Sequence, residues 1–143
     1  MMPDSAVTSS PASSPAASPA RHVFVYGTLR SGGSNDIARF SPAARRVADA
    51  VIAGTLYDLG AYPGAVLGGE GRVIGEIYRI SAALEARLDL LEEVKPDGSG
   101  EYIKRELRVE AGSVPLSCLV YEIHPGRIAG RPVIESGDWL GSR

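Results

Sequence analysis

Acidic side chains cluster in one segment of this sequence, "LEARLDLLEEV". Glu85, Asp89 and Glu92 are spaced i, i+4 and i+7, so on a helix they would share one face beside a leucine stripe. Glu92 and Glu93 fall in the last turn, where the helix dipole and neighbouring acids disfavour negative charge. Both effects raise the pKa of a carboxyl group toward the range useful for general acid/base catalysis. The spacing alone leaves a second interpretation open, a solvated acidic face that nearby basic side chains partly neutralise.

A second candidate is the stretch "HVFVYGTLRSGG", in which a short apolar run passes directly into a glycine-containing turn. Gly27 would allow a ligand to approach the backbone closely. Successive N–H groups of a turned chain can bind an anion, so the stretch predicts an anion site as one possibility and an ordinary turn as the other. We interpret Gly32 and Gly33 as loop residues only.

Other signatures of catalysis are missing from the sequence. It contains no GxSxG elbow, no Walker loop and no Cys-x-x-Cys pair. Its two histidines, His22 and His124, fall far short of a set of metal ligands. We therefore expect no metal, no cofactor and no covalent nucleophile, which leaves a carboxylate acid/base as the main catalytic option.

Length, charge and cysteine content limit the class of protein. The 143 residues suffice for one domain. The formal net charge is −2, from 15 basic and 17 acidic residues without a basic block, so nucleic acid and anionic membrane are not expected partners. The single cysteine, Cys118, cannot form an internal disulfide, which fits the cytoplasm. No apolar run has the length of a membrane-spanning helix.

The first segment of the chain differs in composition from the rest. Residues 1–20, "MMPDSAVTSSPASSPAASPA", consist mostly of Ser, Ala and Pro and lack the pattern of a signal peptide. They contain too few large apolar side chains to offset the entropy of ordering. We expect a disordered tail or a misjudged start site at 1–20 and a folded domain at 21–143.

Two segments have the patterns of helices. "SPAARRVADAV" predicts a helix with Ser41 at its N-cap. "SAALEARLDLLEEV" predicts a second helix that Ser81 caps, with one apolar stripe formed by Leu84, Leu88 and Leu91.

Five further segments have the patterns of strands: "HVFVYG", "VIAGTLYDL", "RVIGEIYRI", "EYIKRELRVE" and "PLSCLVYEI". The last two should form a hairpin around Ala111, Gly112 and Ser113. Strands dominate, so the fold class is α+β, with a mostly antiparallel sheet curled into a barrel and two short helices. Trp139 is expected to close the core.

Six segments occur in an order that resembles a known family: "FVYGTLRSG", "GTLYDLGAYPG", "VIGEIYRI", "LDLLEEV", "EYIKREL" and "SGDWL". Together they resemble the γ-glutamylcyclotransferase-like family, which includes the γ-glutamylamine cyclotransferases and the plant AIG2-like proteins. The resemblance extends from Val23 to Leu140. It implies a small mixed β-barrel and the cyclisation of a γ-glutamyl group to 5-oxoproline, with release of the amine or amino acid.

The resemblance also implies where the glutamyl group binds. The family's substrate loop matches Tyr26, Gly27, Thr28 and Leu29, and it holds the glutamyl group largely through backbone N–H groups. A later tyrosine of the family matches Tyr102 and implies a further substrate contact.

The family's catalytic glutamate follows a Leu-Asp-x-x run, and this spacing implies Glu92. The family often has glycine at the next position, where this chain has Glu93, so which of the two acids faces the pocket is left open. Lys104 replaces an arginine of the family's Tyr-x-Arg, with Arg105 adjacent. This change keeps the charge and loses the planar fork of hydrogen-bond donors.

In the implied reaction the α-amine of the substrate attacks its own γ-carbonyl group. Orientation of such an intramolecular attack is worth roughly 7–11 kcal/mol, so a small domain without metal could catalyse it. Glu92 would accept and donate the proton. Two alternatives are a cyclotransferase that removes a γ-glutamyl protecting group in biosynthesis and a binding or regulatory protein that has lost turnover.

Overall fold

The computed structural model describes residues 21–95 and 97–142. Its strands and its α-helix are, in chain order, β1 (Arg21–Val25), β2 (Arg45–Asp58), β3 (Pro63–Ile80), α1 (Ala82–Leu91), β4 (Tyr102–Ala111) and β5 (Val114–Ile123). Short 3₁₀ turns occur at Ile37–Arg39, Pro125–Arg127 and Leu140–Ser142. The expected tail at 1–20 lies outside the described residues.

The five strands form one mixed sheet in the order β2-β3-β1-β5-β4. β1 pairs antiparallel with β3 and parallel with β5, and the other neighbours are antiparallel. The edge strands β2 and β4 approach to within 8 Å between Cα atoms but do not pair, so the curled sheet stays open along that side. The α+β class, the mixed sheet and the β4–β5 hairpin are confirmed, whereas the barrel is not closed.

The helix predicted over "SPAARRVADAV" is wrong, because β2 begins at Arg45 and runs through this segment. From Ala48 onward burial alternates with a period of two: Ala50 and Ile52 are buried, whereas Asp49 and Val51 are exposed. Alanine and arginine favour helix locally, but the long antiparallel pairing with β3 overrides that weak preference. The described part of the chain therefore contains one α-helix, and not two.

β1 lies in the middle of the sheet and supplies both halves of the core. Val23 and Val25 pack in a cluster with Leu84 of α1. Phe24 points to the opposite side, in a cluster that contains the buried Trp139. This central position explains the continuous apolar run of the strand, since both of its faces are covered.

Helix α1 begins as predicted, with the Ser81 hydroxyl accepting a hydrogen bond from the Leu84 N–H at 3.1 Å. Leu84 and Leu88 are fully buried. Leu91, the third residue of the predicted stripe, is 38% exposed and lies at the edge of a cavity. Within the described ranges, no helix has the length and apolar content that crossing a membrane requires.

Candidate active site

A cavity of about 350 Å³ opens where β1 ends, between the C-terminal end of α1 and the first residues of β3 and β4. The structure places every predicted site residue on its wall: Tyr26, Gly27, Thr28, Leu29, Glu92 and Tyr102. Glu93, the alternative acid, also lines it. Residues far apart in sequence thus meet at one cavity.

The loop after β1 lines this cavity with Gly27, Thr28 and Leu29. The carbonyl groups of Thr28 and Leu29 accept hydrogen bonds from the N–H groups of Asn35 and Ile37, both at 2.9 Å. No described residue accepts a hydrogen bond from the N–H of Gly27, Thr28 or Leu29. Three successive donors are therefore available to an anion in the cavity.

Two glycines allow this loop to pack closely. A Cβ atom on Gly27 would lie 2.7 Å from Cγ of Pro63, so the loop needs glycine to fit against the start of β3. A Cβ atom on Gly33 would lie 2.3 Å from the Thr28 carbonyl oxygen. The interpretation of Gly33 as only a loop residue is therefore incomplete, since it packs directly against the backbone of the site.

The hydroxyl groups of the two predicted tyrosines bind the protein itself. The Tyr26 hydroxyl donates to the Tyr121 carbonyl at 2.6 Å and accepts from the Ala65 N–H at 3.0 Å. The Tyr102 hydroxyl donates to the Pro63 carbonyl at 2.5 Å. Burial raises the pKa of both phenols well above the usual value, so both stay protonated. The rings line the cavity while the hydroxyls fix the start of β3.

Helix α1 ends in a Schellman motif that places Glu92 at the cavity. The Val94 N–H donates to the Asp89 carbonyl at 3.0 Å, and the Glu93 N–H donates to the Leu90 carbonyl at 3.2 Å. Glu93 has the left-handed conformation that this motif requires, with φ 54°. The reversal of the chain leaves Glu92 half-buried and Glu93 exposed.

The Glu92 carboxyl has no hydrogen-bond or ion-pair partner among the described residues. Burial is the main cause that raises its pKa, to about 8, and the negative charge of Glu101 adds to the shift. The raised pKa agrees with the sequence argument, but the cause differs, because that argument relied on the helix terminus and on neighbouring acids of the same helix. A carboxyl group with this pKa can both accept and donate a proton near neutral pH.

The other acids of α1 are paired and do not form a solvated face. Lys104 Nζ lies 2.6 Å from a carboxylate oxygen of Glu85 and 2.8 Å from one of Asp89. Arg105 pairs with Glu122 at 2.9 Å. Neither Lys104 nor Arg105 lines the cavity, so the lysine at the position of the family's arginine has an ionic partner within the protein.

Ten further cavity residues were not predicted as site residues, among them Tyr62, Glu101 and Tyr121. Tyr121 lines the wall and donates its hydroxyl to Asp89 at 2.7 Å, which holds the end of α1 against β5. Tyr62 and Glu101 line the cavity and are hydrogen-bonded to each other through the Tyr62 hydroxyl. Tyr62 and Glu101 do lie within segments that resemble the family, but only the fold shows that they meet.

A second cleft of about 340 Å³ adjoins the cavity, and Tyr62 and Glu101 line both. Its wall also includes Arg127 and Arg131. Among the described residues, neither guanidinium group has a carboxylate partner. The positive side chains of the site region thus lie beside the cavity and not within it.

The chain is similar in sequence and in fold to known proteins. The family model described as "Gamma-glutamyl cyclotransferase, AIG2-like" matches residues 23–141. The γ-glutamylcyclotransferase family protein YtfP of Escherichia coli K12 is 38% identical over 119 residues, covering 82% of this chain and 95% of YtfP. The solution structure of E. coli YtfP superposes with a TM-score of 0.62, covering 85% of this chain and 97% of that one.

Two further proteins extend the comparison. The crystal structure of an AIG2-like protein from Mus musculus has 25% identity and a TM-score of 0.65, covering 83% of this chain and 88% of that one. A γ-L-glutamyl-butirosin B γ-glutamyl cyclotransferase from Niallia circulans is 42% identical over 73 residues, covering 50% of this chain and 46% of that protein. With a family model that matches most of its length, the chain belongs to the γ-glutamyl cyclotransferase, AIG2-like family.

Proposed function

We propose that this protein converts a γ-glutamyl-amine or γ-glutamyl-amino acid into 5-oxoproline and the free amine. One observation carries the proposal. An unpartnered, half-buried carboxyl group with a raised pKa, Glu92, shares a cavity with three unpaired backbone N–H groups, those of Gly27, Thr28 and Leu29. The carboxyl group is suited to transferring protons, and the three N–H groups are suited to binding a carboxylate.

The loop amides would bind the α-carboxylate of the glutamyl group. Their position is fixed before the substrate arrives, because the Thr28 and Leu29 carbonyls are already hydrogen-bonded within the loop. A preorganised site loses less entropy on binding. The α-carboxylate then anchors the adjacent α-amino group within the same cavity.

Glu92 would carry the protons of the reaction. In its ionised form it accepts a proton from the α-ammonium group, and the freed amine forms a bond to the γ-carbonyl carbon. The bond from this carbon to the leaving nitrogen then breaks while Glu92 donates the proton to that nitrogen. The ring nitrogen still carries one surplus proton, which Glu92 accepts and passes to the released amine in the same way. In total, two protons pass from the α-nitrogen to the leaving nitrogen, so a single group close to both atoms suffices.

The adjoining cleft favours leaving groups that contain a carboxylate. Arg127 and Arg131 are free to pair with an anion there, whereas a polycationic leaving group would meet their repulsion. We therefore rank γ-glutamyl-amino acids above γ-glutamyl-polyamines as substrates. The named substrate of the Niallia circulans relative makes γ-glutamyl-butirosin B a further compound to assay.

A screen of γ-glutamyl compounds for release of 5-oxoproline tests the proposal. The wild-type protein should release 5-oxoproline well above the spontaneous rate from at least one compound. A Glu92→Gln variant should not, whereas Glu106→Gln, which removes an exposed charge that accepts from Ser117, should be fully active. Binding of 5-oxoproline without turnover of any compound would instead establish a binding protein with the same fold.

A further inference from the structure

Three segments that resemble the family, "FVYGTLRSG", "VIGEIYRI" and "SGDWL", converge behind the substrate loop. Each supplies one charged residue: Arg30 follows the loop, Glu76 lies in β3, and Asp138 lies in the C-terminal segment. None of the three lines the cavity. Their role must therefore be exerted through other residues.

Glu76 is the centre of this cluster and is only 4% exposed. Its carboxylate accepts a hydrogen bond from the Ser31 N–H at 2.9 Å and another from the Tyr78 hydroxyl at 2.9 Å. Arg30 Nε lies 3.3 Å from the same carboxylate. A buried carboxylate is stable only with such partners, so Glu76 and the loop hold each other in place.

Arg30 connects this carboxylate to a second one. Its Nη1 lies 2.7 Å from Oδ1 of Asp138, and its side chain is 12% exposed. The Arg30 N–H also donates to the Gly27 carbonyl at 3.0 Å, which closes the turn of the loop. Both the side chain and the backbone of Arg30 are thus fixed.

The loop is consequently fastened at both ends. At its start, the Tyr26 hydroxyl is bonded to the backbone of Tyr121 and Ala65. At its end, Ser31 and Arg30 are bonded to Glu76. The residues between these two points carry the unpaired amides, whose orientation depends on both attachments.

We propose that Glu76 is a positioning residue that, through Arg30 and Ser31, holds the Tyr26–Leu29 loop in the conformation that binds the glutamyl α-carboxylate. The inference rests on the proposed function for the identity of the ligand. The effect of Glu76 on the loop does not depend on turnover and can be measured separately.

The test compares Glu76→Gln with Glu122→Gln. Glu122 is a matched control, since it is 9% exposed and accepts from one backbone N–H, that of Leu67, and from one arginine, Arg105. Removing the charge at position 76 should raise KM for the γ-glutamyl substrate and Kd for 5-oxoproline about tenfold, as expected for a lost charged hydrogen bond. The kcat value and its pH dependence should stay within about threefold of wild type, because Glu92 is untouched.

Hydrogen exchange gives the readout that is independent of turnover. The amides of Asn35 and Ile37, which donate to the loop carbonyls, should exchange faster in Glu76→Gln than in wild type or Glu122→Gln. Asp138→Asn, a milder change at a partly exposed residue, should also speed the exchange of these amides, and it replaces Glu76→Gln in the test if that variant does not fold.

Equal exchange rates and equal KM values in Glu76→Gln and Glu122→Gln would overturn the inference. Faster exchange without turnover of any compound would support it while refuting the proposed function.

Discussion

Glu93 adopts a left-handed backbone conformation immediately after Glu92, and this turn separates two neighbouring acids into different environments. Glu92 is half-buried in the cavity without a partner, whereas Glu93 is exposed. The difference in environment favours Glu92 over Glu93 for the proposed proton transfer. It also explains how consecutive glutamates can coexist at the end of a helix, since only one of them is desolvated.

Separate substitution of Glu92 and Glu93 should show that they differ in their importance for catalysis. We expect Glu92→Gln to reduce kcat by about two to four orders of magnitude, the usual range for loss of a general acid/base. Glu93→Gln should keep kcat within about threefold, because it alters only an exposed charge. Steady-state kinetics of 5-oxoproline release measures both. Loss of activity in the 93 variant alone would transfer the catalytic role to Glu93.

The rate of the wild-type enzyme should depend on the ionisation of Glu92. Its pKa is raised to about 8, mainly by burial, and only the ionised form can accept the ammonium proton. We therefore expect kcat/KM to rise with pH, with an ascending limb near pH 8. Glu93→Gln should preserve this limb. A limb near pH 4 to 5 would show that the group which titrates is a solvated carboxylate.

The same pKa predicts a gain in stability when Glu92 is replaced by glutamine. The folded protein holds the Glu92 proton up to about pH 8, whereas the unfolded chain releases it near pH 4.5. The free energy of unfolding of the wild type therefore falls as the pH rises between these two pKa values, by about 1.4 kcal/mol for each pH unit. A glutamine side chain does not titrate, so the Tm difference between Glu92→Gln and wild type should be small at pH 5 and largest at pH 8. A constant difference across this range would contradict the raised pKa.

Strong local signals made part of the fold predictable from the sequence. Ser81 and the leucine spacing predict α1, and the turn at Gly112 predicts the β4–β5 hairpin. β2 was mistaken for a helix over its first half, because its Ala- and Arg-rich composition favours helix and its pairing with β3 is a long-range interaction. The residue types from Ala48 to Leu56 do not alternate between apolar and polar, so the alternating burial of β2 is visible only in the fold.

The site could also be predicted only in part from the sequence, because long-range contacts leave no local pattern. The Tyr26–Leu29 loop and Glu92 could be located by resemblance, since each lies in a recognisable segment. The contact between Tyr62 and Glu101 and the cluster around Glu76 depend on strands that are adjacent only in the sheet. No local pattern reports such contacts, and the burial that raises the pKa of Glu92 is likewise a property of the folded chain.

The left-handed conformation of Glu93 predicts a stabilising substitution. Residues with a Cβ atom are strained at φ 54°, and the Schellman motif usually has glycine at this position. Glu93→Gly should raise the free energy of unfolding by about 1 kcal/mol without lowering kcat. Glu93→Ala, which removes the charge but keeps the strain, is the control. Equal unfolding midpoints in urea for the two variants would show that the backbone is not strained.

The cleft that contains Arg127 and Arg131 should determine the preference for the leaving group. We expect Arg127→Ala/Arg131→Ala to raise KM for a γ-glutamyl-amino acid about twofold to thirtyfold, since each exposed or partly exposed ion pair contributes about 0.2–1 kcal/mol. The same variant should leave KM unchanged for the corresponding γ-glutamyl-amino acid amide, which lacks the carboxylate. Arg72→Ala/Arg108→Ala removes two exposed arginines of β3 and β4 outside both cavities and controls for the change in net charge. If KM rises equally for the acid and the amide, the arginines do not bind the carboxylate of the leaving group, and the preference for amino acids over amines must be abandoned.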